Sequence, residues 1–320
     1  MITSLIIAAI SLSTVFLFGC VGEIITEKAG HLNLGIPGIM CSGTAGGCFG
    51  VYLYMNAFHD NPIWLFLVLF GVVGAFCFAA IVALIYGFLT ISLRCNQNIT
   101  GLAVTTFGTG FTQFFIDNFI DRQYFGQASK ILSKSLPFAS DLGWFGQVFL
   151  SYGFLVYLAV AIAIVTAIFL KRTKTGLHLR AIGENPATAD AAGINVTAYK
   201  YVAVMVGGGI AGLGGFFYIM DYIGGSWENA STIEALGWLS VALVIFTLWR
   251  PNLSILGSIL FAAFYILAFK LTGISFTDTA ILKLLPYLVT IIVLIFTSIF
   301  GSKNVQPPAS LGLNYFREDR

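Results

Sequence analysis

The chain has 320 residues, of which 58% are hydrophobic and only 9% are charged, and its formal net charge is +2. Soluble domains carry about a quarter charged residues. The composition, with a mean hydropathy of +0.91, therefore excludes a soluble protein and predicts an integral membrane protein. The 35 glycines and 30 phenylalanines favour packed helices over a β-barrel. We predict an all-α, polytopic transmembrane helical bundle.

Nine apolar segments are predicted to cross the membrane, since a helix needs about 20 residues to span a core of roughly 30 Å. Two of them are irregular. Residues 33–57 are rich in glycine and contain a proline, and residues 235–249 form a segment of only about 15 residues. We expect both to be broken or re-entrant, because irregular backbone at membrane depth is tolerated where it lines a cavity. The predicted crossings are residues 2–22, 33–57, 63–93, 98–119, 148–170, 199–220, 235–249, 253–269 and 281–300.

The basic residues predict an orientation, because Lys and Arg concentrate at the cytoplasmic ends of membrane helices. With the N-terminus outside and the C-terminus inside, eleven of the 16 Lys and Arg residues lie inside. This defines a transmembrane domain at 1–300, with a cytoplasmic loop at 171–198, and a cytoplasmic tail at 301–320. Glu23 and Glu27 follow the first crossing next to Lys28, and we expect them to be solvated charges.

The longest polar run is residues 171–199, KRTKTGLHLRAIGENPATADAAGINVTAY. Within it Asn185 can cap a short helix whose first turn accepts Pro186, and Gly193 can end that helix in the left-handed conformation. The alanines between them would let another protein approach closely. A solvated helix of about two turns is marginal in isolation, so a partner would stabilise it. The run is predicted to be a cytoplasmic docking element.

The second part of this run, GLHLRAIGENPATADAAGINV, resembles the coupling loop of ATP-binding-cassette (ABC) importer permeases for branched-chain amino acids and simple sugars. The stretches EKAGHLNLGIPGIM and PPASLGLNYFRE resemble the nucleoside-type branch of that family. ALGWLSVALVIFTLWRP is similar to the family's short Gly-rich span. The resemblance covers most of residues 20–320. It departs from the family pattern at residues 233–235 and 247–248, which leaves the solute open.

The resemblance implies a permease subunit in the cell membrane of a bacterium, surrounded by lipid, with no enzymatic activity and no cofactor of its own. It implies a second permease subunit of different sequence, an ABC ATPase subunit or tandem ATPase that binds the ATP, and an extracytoplasmic substrate-binding lipoprotein, but no nucleic acid. It also implies nucleosides as the solute, with simple sugars or branched-chain amino acids as alternatives. The residues that it assigns to coupling with the ATPase are Gly183, Glu184, Asn185, Pro186, Ala192, Gly193 and Ile194.

The substrate pathway is predicted at the two irregular segments. Asn33 can form hydrogen bonds with a polar solute, the glycines leave room for it, and Trp238 offers a face to a ring. The predicted pathway residues are Asn33, Gly35, Pro37 and Gly38, with Gly237, Trp238 and Ser240 opposite.

Two other classes of function are weighed against this one. A stand-alone secondary transporter or channel would use residues 171–199 only as an anchor, and a proton-driven one needs a titratable relay, whereas no acidic residue is expected at mid-bilayer. An intramembrane enzyme needs a paired nucleophile and base, and none is found. The chain lacks a phosphate-binding loop ending in Gly-Lys-Ser/Thr, and its three histidines have no partners at metal-binding spacing. No catalytic or metal-binding residue is therefore predicted.

Overall fold

The computed structural model describes residues 2–135, 142–270, 278, 281–282, 284–300 and 306–316, and within them the fold is all-helical. Two π-helical turns, Phe88–Ser92 and Tyr218–Tyr222, directly continue the third and tenth α-helices. The α-helices of the described residues are α1 (Ile2–Lys28), α2 (Ile36–Phe58), α3 (Trp64–Gly87), α4 (Gln97–Phe119), α5 (Phe125–Leu132), α6 (Gly143–Phe149), α7 (Phe154–Arg172), α8 (Lys174–Glu184), α9 (Pro186–Ala191), α10 (Val196–Phe217), α11 (Ala230–Phe246), α12 (Pro251–Lys270) and α13 (Leu285–Phe300).

Six of these helices are long and apolar enough to cross a membrane: α1, α2, α3 with its π turn, α4, α7, and α10 with its π turn. Three shorter apolar helices lie within α11, α12 and α13. The prediction of an all-α polytopic bundle is confirmed. The nine apolar helices match the nine predicted crossings in number and order. That the three shorter ones cross stays a prediction.

The centre of the bundle is α10, which packs against α1, α2 and α3. Glycines allow these backbones to touch. A Cβ atom on Gly43 of α2 would lie 2.3 Å from the Cα atom of Gly212 on α10, and one on Gly22 of α1 would lie 2.3 Å from the carbonyl oxygen of Gly207. Such close approach supplies the van der Waals contact that holds helices together in lipid, where no hydrophobic force drives them to associate.

The prediction of two broken or re-entrant segments is wrong. Within residues 33–57 the α-helix is continuous from Ile36 onward, and only the turn at residues 31–35 before it is irregular. Its glycines serve helix packing instead, since a Cβ atom on Gly38 would lie 2.4 Å from the carbonyl oxygen of Val104 on α4. Within residues 235–249, α11 is continuous to Phe246, and the irregular backbone is the turn after it, where Leu248 and Trp249 have positive φ angles of 55° and 54°.

One end of the bundle collects the predicted docking element and the segments that contact it or lie beside it, and we call it the docking end. It consists of α8 and α9, the turns at residues 29–35, 93–96 and 247–250, and residues 306–316. Contacts between these segments, described below, join helices that are far apart in the sequence.

Candidate functional site

The predicted docking element is a pair of helices, α8 and α9, which we call the docking pair. The Asn185 side chain accepts a hydrogen bond from the Thr188 N–H (3.0 Å), Pro186 occupies the first turn of α9, and Gly193 has a φ of +81°. The predicted short helix and its cap are therefore confirmed. α8 was not predicted. Its N-terminal cap is Thr173, whose hydroxyl oxygen accepts from the Gly176 N–H (3.0 Å).

The docking pair is attached to the bundle through Gly183. A Cβ atom there would lie 2.3 Å from the carbonyl oxygen of Lys28, so the end of α8 lies directly against the end of α1. The Gly183 carbonyl also accepts hydrogen bonds from the Ser310 N–H (2.9 Å) and the Ser310 hydroxyl (2.6 Å). The end of α8 is therefore held directly against the end of the first membrane helix.

The seven residues predicted to couple to the ATPase differ in exposure. Gly183 is buried in the contact just described. Pro186 and Ile194 are half-buried, and Ile194 packs beside the small apolar cluster that joins α8, α9 and α10. The other four are exposed, on either side of α9: Glu184, Asn185, Ala192 and Gly193. The exposed residues form a surface that a partner can reach, and Gly183 links that surface to the bundle.

Residues 306–316 form a strap across the docking end. Besides the contact of Ser310 with α8, the Tyr315 hydroxyl donates to Asp190 Oδ2 on α9 (2.7 Å). The Asn314 side-chain amide donates to the carbonyl oxygen of Arg94 (2.7 Å), and the Phe316 ring lies 4.6 Å from the Arg94 guanidinium. The strap therefore joins the docking pair to the turn between α3 and α4. The rest of the predicted tail, residues 301–305 and 317–320, lies outside the described residues.

Glu23 and Glu27 were expected to be solvated, and this is wrong, because their exposed fractions are 0% and 3%. α1 continues through both of them to Lys28, so they lie one turn apart on its inner face. The Asn33 N–H donates to Glu23 Oε1 (3.1 Å), and the Trp249 indole N–H donates to Glu27 Oε2. These bonds tie the turn at 29–35 and the turn at 247–250 to α1.

The bond between Glu27 and Trp249 gives a stability prediction. Glu27→Ala is expected to lower the free energy of unfolding by about 1–3 kcal/mol, because it leaves a buried indole N–H without an acceptor. Glu27→Gln keeps an oxygen in that place and should retain most of the stability. Thermal unfolding in detergent measures both variants. An equal loss in the two would show that the bond to Trp249 is not the cause.

The turn at residues 29–35 is fixed on its other side by α3. The Tyr86 hydroxyl donates to the Leu32 carbonyl (2.6 Å), and His31 Nε2 lies 3.2 Å from the Thr90 hydroxyl. Burial, together with the nearby Lys200 amino group, holds the pKa of His31 well below its usual range. The imidazole is therefore neutral, and the turn carries no charge at this position.

The predicted pathway residues lie mostly in helix contacts. A Cβ atom on Gly237 would lie 2.5 Å from the Cα of Pro37, so these two do face each other across α2 and α11. Asn33 Oδ1 accepts from the Gly35 N–H (2.9 Å), which closes the turn before α2. Six of the seven are buried, and Trp238 is half-buried. Packing explains the buried ones in this conformation, and their role in the pathway stays a prediction.

Sequence reasoning missed a row of polar side chains on the outward side of α4, which we call the α4 polar face: Thr106, Thr109, Gln113 and Asp117. The spacing of three and four residues places them on one side of the helix, and all are exposed or half-exposed. The signal in the sequence was a polar residue at every turn of an otherwise apolar span. Polar groups on the outside of a membrane helix are costly in lipid. We therefore expect this face to contact water, a solute or another subunit.

α11 and the loop before it complete the α4 polar face. Glu234 Oε2 accepts from the Thr109 hydroxyl (3.1 Å), and Gln113 Oε1 accepts from the Ala230 N–H (2.8 Å). Asp117 Oδ1 accepts from the Trp227 indole N–H (2.9 Å). The half-buried Trp238 lies on the same helix as Glu234, one turn further on. The α4 polar face thus carries hydroxyl, amide and carboxylate groups.

The apolar helices are those of a multi-pass membrane protein, and the comparisons with known proteins show its family. The sequence profile described as "branched-chain amino acid transport system / permease component" matches residues 5–294. The chain belongs to this family and is a multi-pass permease subunit of an ABC importer. It is not itself catalytic, and it acts together with an ATPase and a binding protein. Family membership decides against the stand-alone transporter or channel.

Curated relatives extend over nearly the whole chain. A Haloferax volcanii protein assigned as a glucose ABC transporter permease is 33% identical, over 97% of both chains. The nucleoside ABC transporter permease NupC of Lactococcus lactis is 30% identical, over 95% of this chain and 94% of its own. The guanosine ABC transporter permease NupQ of Bacillus subtilis is 28% identical, over 93% and 92%. These relatives carry two classes of solute.

Proposed function

We propose that this chain is the permease subunit of a nucleoside importer. Two of the three relatives described above are named for nucleosides or guanosine. The third is named for glucose, and its identity and coverage are about as high. Similarity alone therefore supports a nucleoside or a sugar. The choice between them has to come from the chemistry of the path.

The observation that supports a nucleoside as the solute is the α4 polar face together with its aromatic neighbours. Phe107 and Phe114 are exposed and directly adjoin Thr106 and Gln113 in the sequence. The Phe107 and Phe111 rings are stacked, with centroids 5.8 Å apart. Hydroxyl, amide and carboxylate groups suit the ribose, and the ring faces suit a purine or pyrimidine, since stacking on an aromatic side chain contributes about 1–3 kcal/mol per base in other proteins.

The solute is tested with the complete transporter, purified after co-expression with its ATPase, second permease and binding protein. Binding protein loaded with guanosine or uridine is expected to stimulate ATP hydrolysis severalfold, while the same protein offered glucose or leucine should leave the basal rate unchanged. Stimulation by glucose alone would overturn the nucleoside assignment and leave the importer intact. If none of the four solutes stimulated ATP hydrolysis, the chemistry of the α4 polar face would not be a valid basis for choosing the solute.

The topology follows from the docking pair. We place the docking end in the cytoplasm, where the ATPase is, with nine crossings, the N-terminus outside, a transmembrane domain at 1–300 and a cytoplasmic tail at 301–320. The surface formed by Glu184, Asn185, Ala192 and Gly193 receives the ATPase, and Gly183 transmits its movement to α1. The α4 polar face lines the path where a second permease of different sequence pairs with this one.

Cys95 provides a test of the orientation, because it is exposed in the turn next to Arg94 at the docking end. In a variant with Cys77→Ala, a membrane-impermeant maleimide should label Cys95 only after the cells are opened. A cysteine introduced by Glu228→Cys, near the other end of α11, should be labelled in intact cells. Labelling of Cys95 in intact cells would reverse the orientation.

Gly110 tests the path itself. It lies on α4 next to Thr109, and a Cβ atom there would meet nothing within 4 Å. Gly110→Leu should therefore fold normally, since leucine favours the helix more than glycine does, yet it should reduce nucleoside uptake about fivefold or more by narrowing the path. Gly126→Leu on α5, where a Cβ atom also meets nothing, is the matched control and should transport normally. Normal uptake by both would place the path elsewhere.

A further inference from the structure

A second feature of the docking end is a cavity of about 510 Å³ between the ends of α1 and α7, α8, and the start of α12. Four basic side chains line it: Lys28, Lys171, Arg180 and Arg250. No acidic residue is among its lining residues in the described part of the chain. Each of the four comes from a different segment, so the fold, rather than one basic run, brings them together.

None of these four cations forms a salt bridge within the described residues. The ion pairs found among the described residues, His59 with Asp60 and Arg122 with Asp117, involve none of them. Two carboxylates, Glu27 and Glu184, are near Lys28 and offset part of this positive charge, so the cavity keeps more cations than nearby anions. Cations that converge repel one another, and an anion in the cavity would offset that repulsion.

Exposed apolar side chains lie on the two helices that flank the cavity. α7 and α12 pack side by side. Leu253 and Ala167 line the cavity, and beyond them Leu256 and Leu260 on α12 and Ile168 on α7 are exposed, Leu256 by 70% of its surface. Basic side chains therefore line a cavity whose neighbouring helices expose apolar side chains. A soluble anion would contact only the basic side chains.

We propose that this cavity binds the phosphate headgroup of an anionic phospholipid, with an acyl chain against the exposed apolar side chains of α7 and α12. Basic pockets between membrane helices on the cytoplasmic side are a recognised kind of headgroup site. Because Arg180 lies on α8, three residues before Gly183, the bound headgroup holds the docking pair against the turn that leads into α12. This site is independent of the transported solute and of the α4 polar face.

The test measures phosphatidylglycerol binding to the complete transporter in nanodiscs of neutral phosphatidylcholine, by native mass spectrometry. Each cation near an anionic lipid contributes a factor of about five. The double variant Arg180→Gln/Arg250→Gln is therefore expected to bind phosphatidylglycerol roughly 30-fold more weakly than the unmodified chain. The control Lys130→Gln/Lys134→Gln removes two exposed charges from the far end of the bundle and should bind normally.

Three outcomes would overturn the proposal. Equal phosphatidylglycerol binding by the double variant and its control would show that the cavity is not the site. Competition by inorganic phosphate or glycerol phosphate at the same concentration as the lipid would make it a site for a soluble anion. Binding by the full-length permease alone, but not by the complex, would assign the cavity to an acidic surface of the ATPase.

Discussion

Replacing Glu184 by Arg is expected to separate this permease from its ATPase while leaving it folded in the membrane. Glu184 is exposed at the junction of α8 and α9, and its side chain makes no hydrogen bond within the described residues. Reversal of its charge removes an attraction to Lys28, but a charge pair at an exposed side chain contributes little to stability, whereas an unmatched charge in an interface costs binding free energy. We expect co-purification with the ATPase to fall about tenfold or more and solute uptake to be lost.

The control for this variant is Glu228→Arg, an equal reversal of charge at an exposed residue near the start of α11. It should leave the amount of ATPase that co-purifies unchanged. The thermal unfolding temperatures of both variants in detergent should match that of the unmodified chain. If Glu184→Arg retained its ATPase and its uptake, the docking surface would have to be moved away from α9.

Gly43→Val is expected to prevent folding. Its Cβ atom would lie 2.3 Å from the Cα atom and 2.6 Å from the carbonyl oxygen of Gly212, and both of these are backbone atoms that cannot rotate away. The central helices α2 and α10 would have to separate, at a cost of about 3 kcal/mol or more. The measurement is the yield of monodisperse protein in detergent, together with its unfolding temperature.

The control is Gly110→Val, which makes the same substitution at a membrane-helix glycine with open space around it. Any loss of yield caused by the backbone preferences of valine alone would therefore occur in both variants. We expect its yield to stay close to that of the unmodified chain. A similar loss of yield in the two variants would mean that packing against Gly212 is not what Gly43 contributes.

Much of the fold could be predicted because it depends on local chemistry. Apolar length identifies membrane helices in any context, since the bilayer sets the length. The helix at Pro186 was predictable for a similar reason, because the Asn185 cap and the Gly193 stop act on their own backbone neighbours. These features need no knowledge of what the chain packs against.

The errors arose where a neighbouring helix decides the outcome. Glycines in residues 33–57 were interpreted as breaks, yet Gly38 and Gly43 are in close contact with α4 and α10. α8 was not predicted, although Gly176, Leu179 and Ile182 recur at helical spacing on its buried side. Propensity cannot distinguish a glycine that bends a helix from one that admits a neighbour.

The candidate sites show the same division. The candidate docking residues adjoin one another in the sequence, so a local pattern could predict the short helix that they flank, while their role in docking stays a prediction. The buried state of Glu23 depends on Asn33, and that of Glu27 depends on Trp249 far along the chain. The α4 polar face likewise becomes a candidate path only when Glu234 is seen beside Thr109. Contacts between residues so far apart in the sequence cannot be predicted from the periodicity of hydrophobic residues.

The strap at residues 306–316 has a consequence for biosynthesis. It fastens α9 through Tyr315 and α8 through Ser310, and it follows the apolar helices in the chain. The ribosome therefore delivers the last part of the docking end only after those helices have been made. An ATPase that binds only when the strap holds α8 and α9 in place would not bind nascent or truncated permeases. It would bind only chains whose membrane insertion is finished. The order of synthesis then acts as an assembly checkpoint.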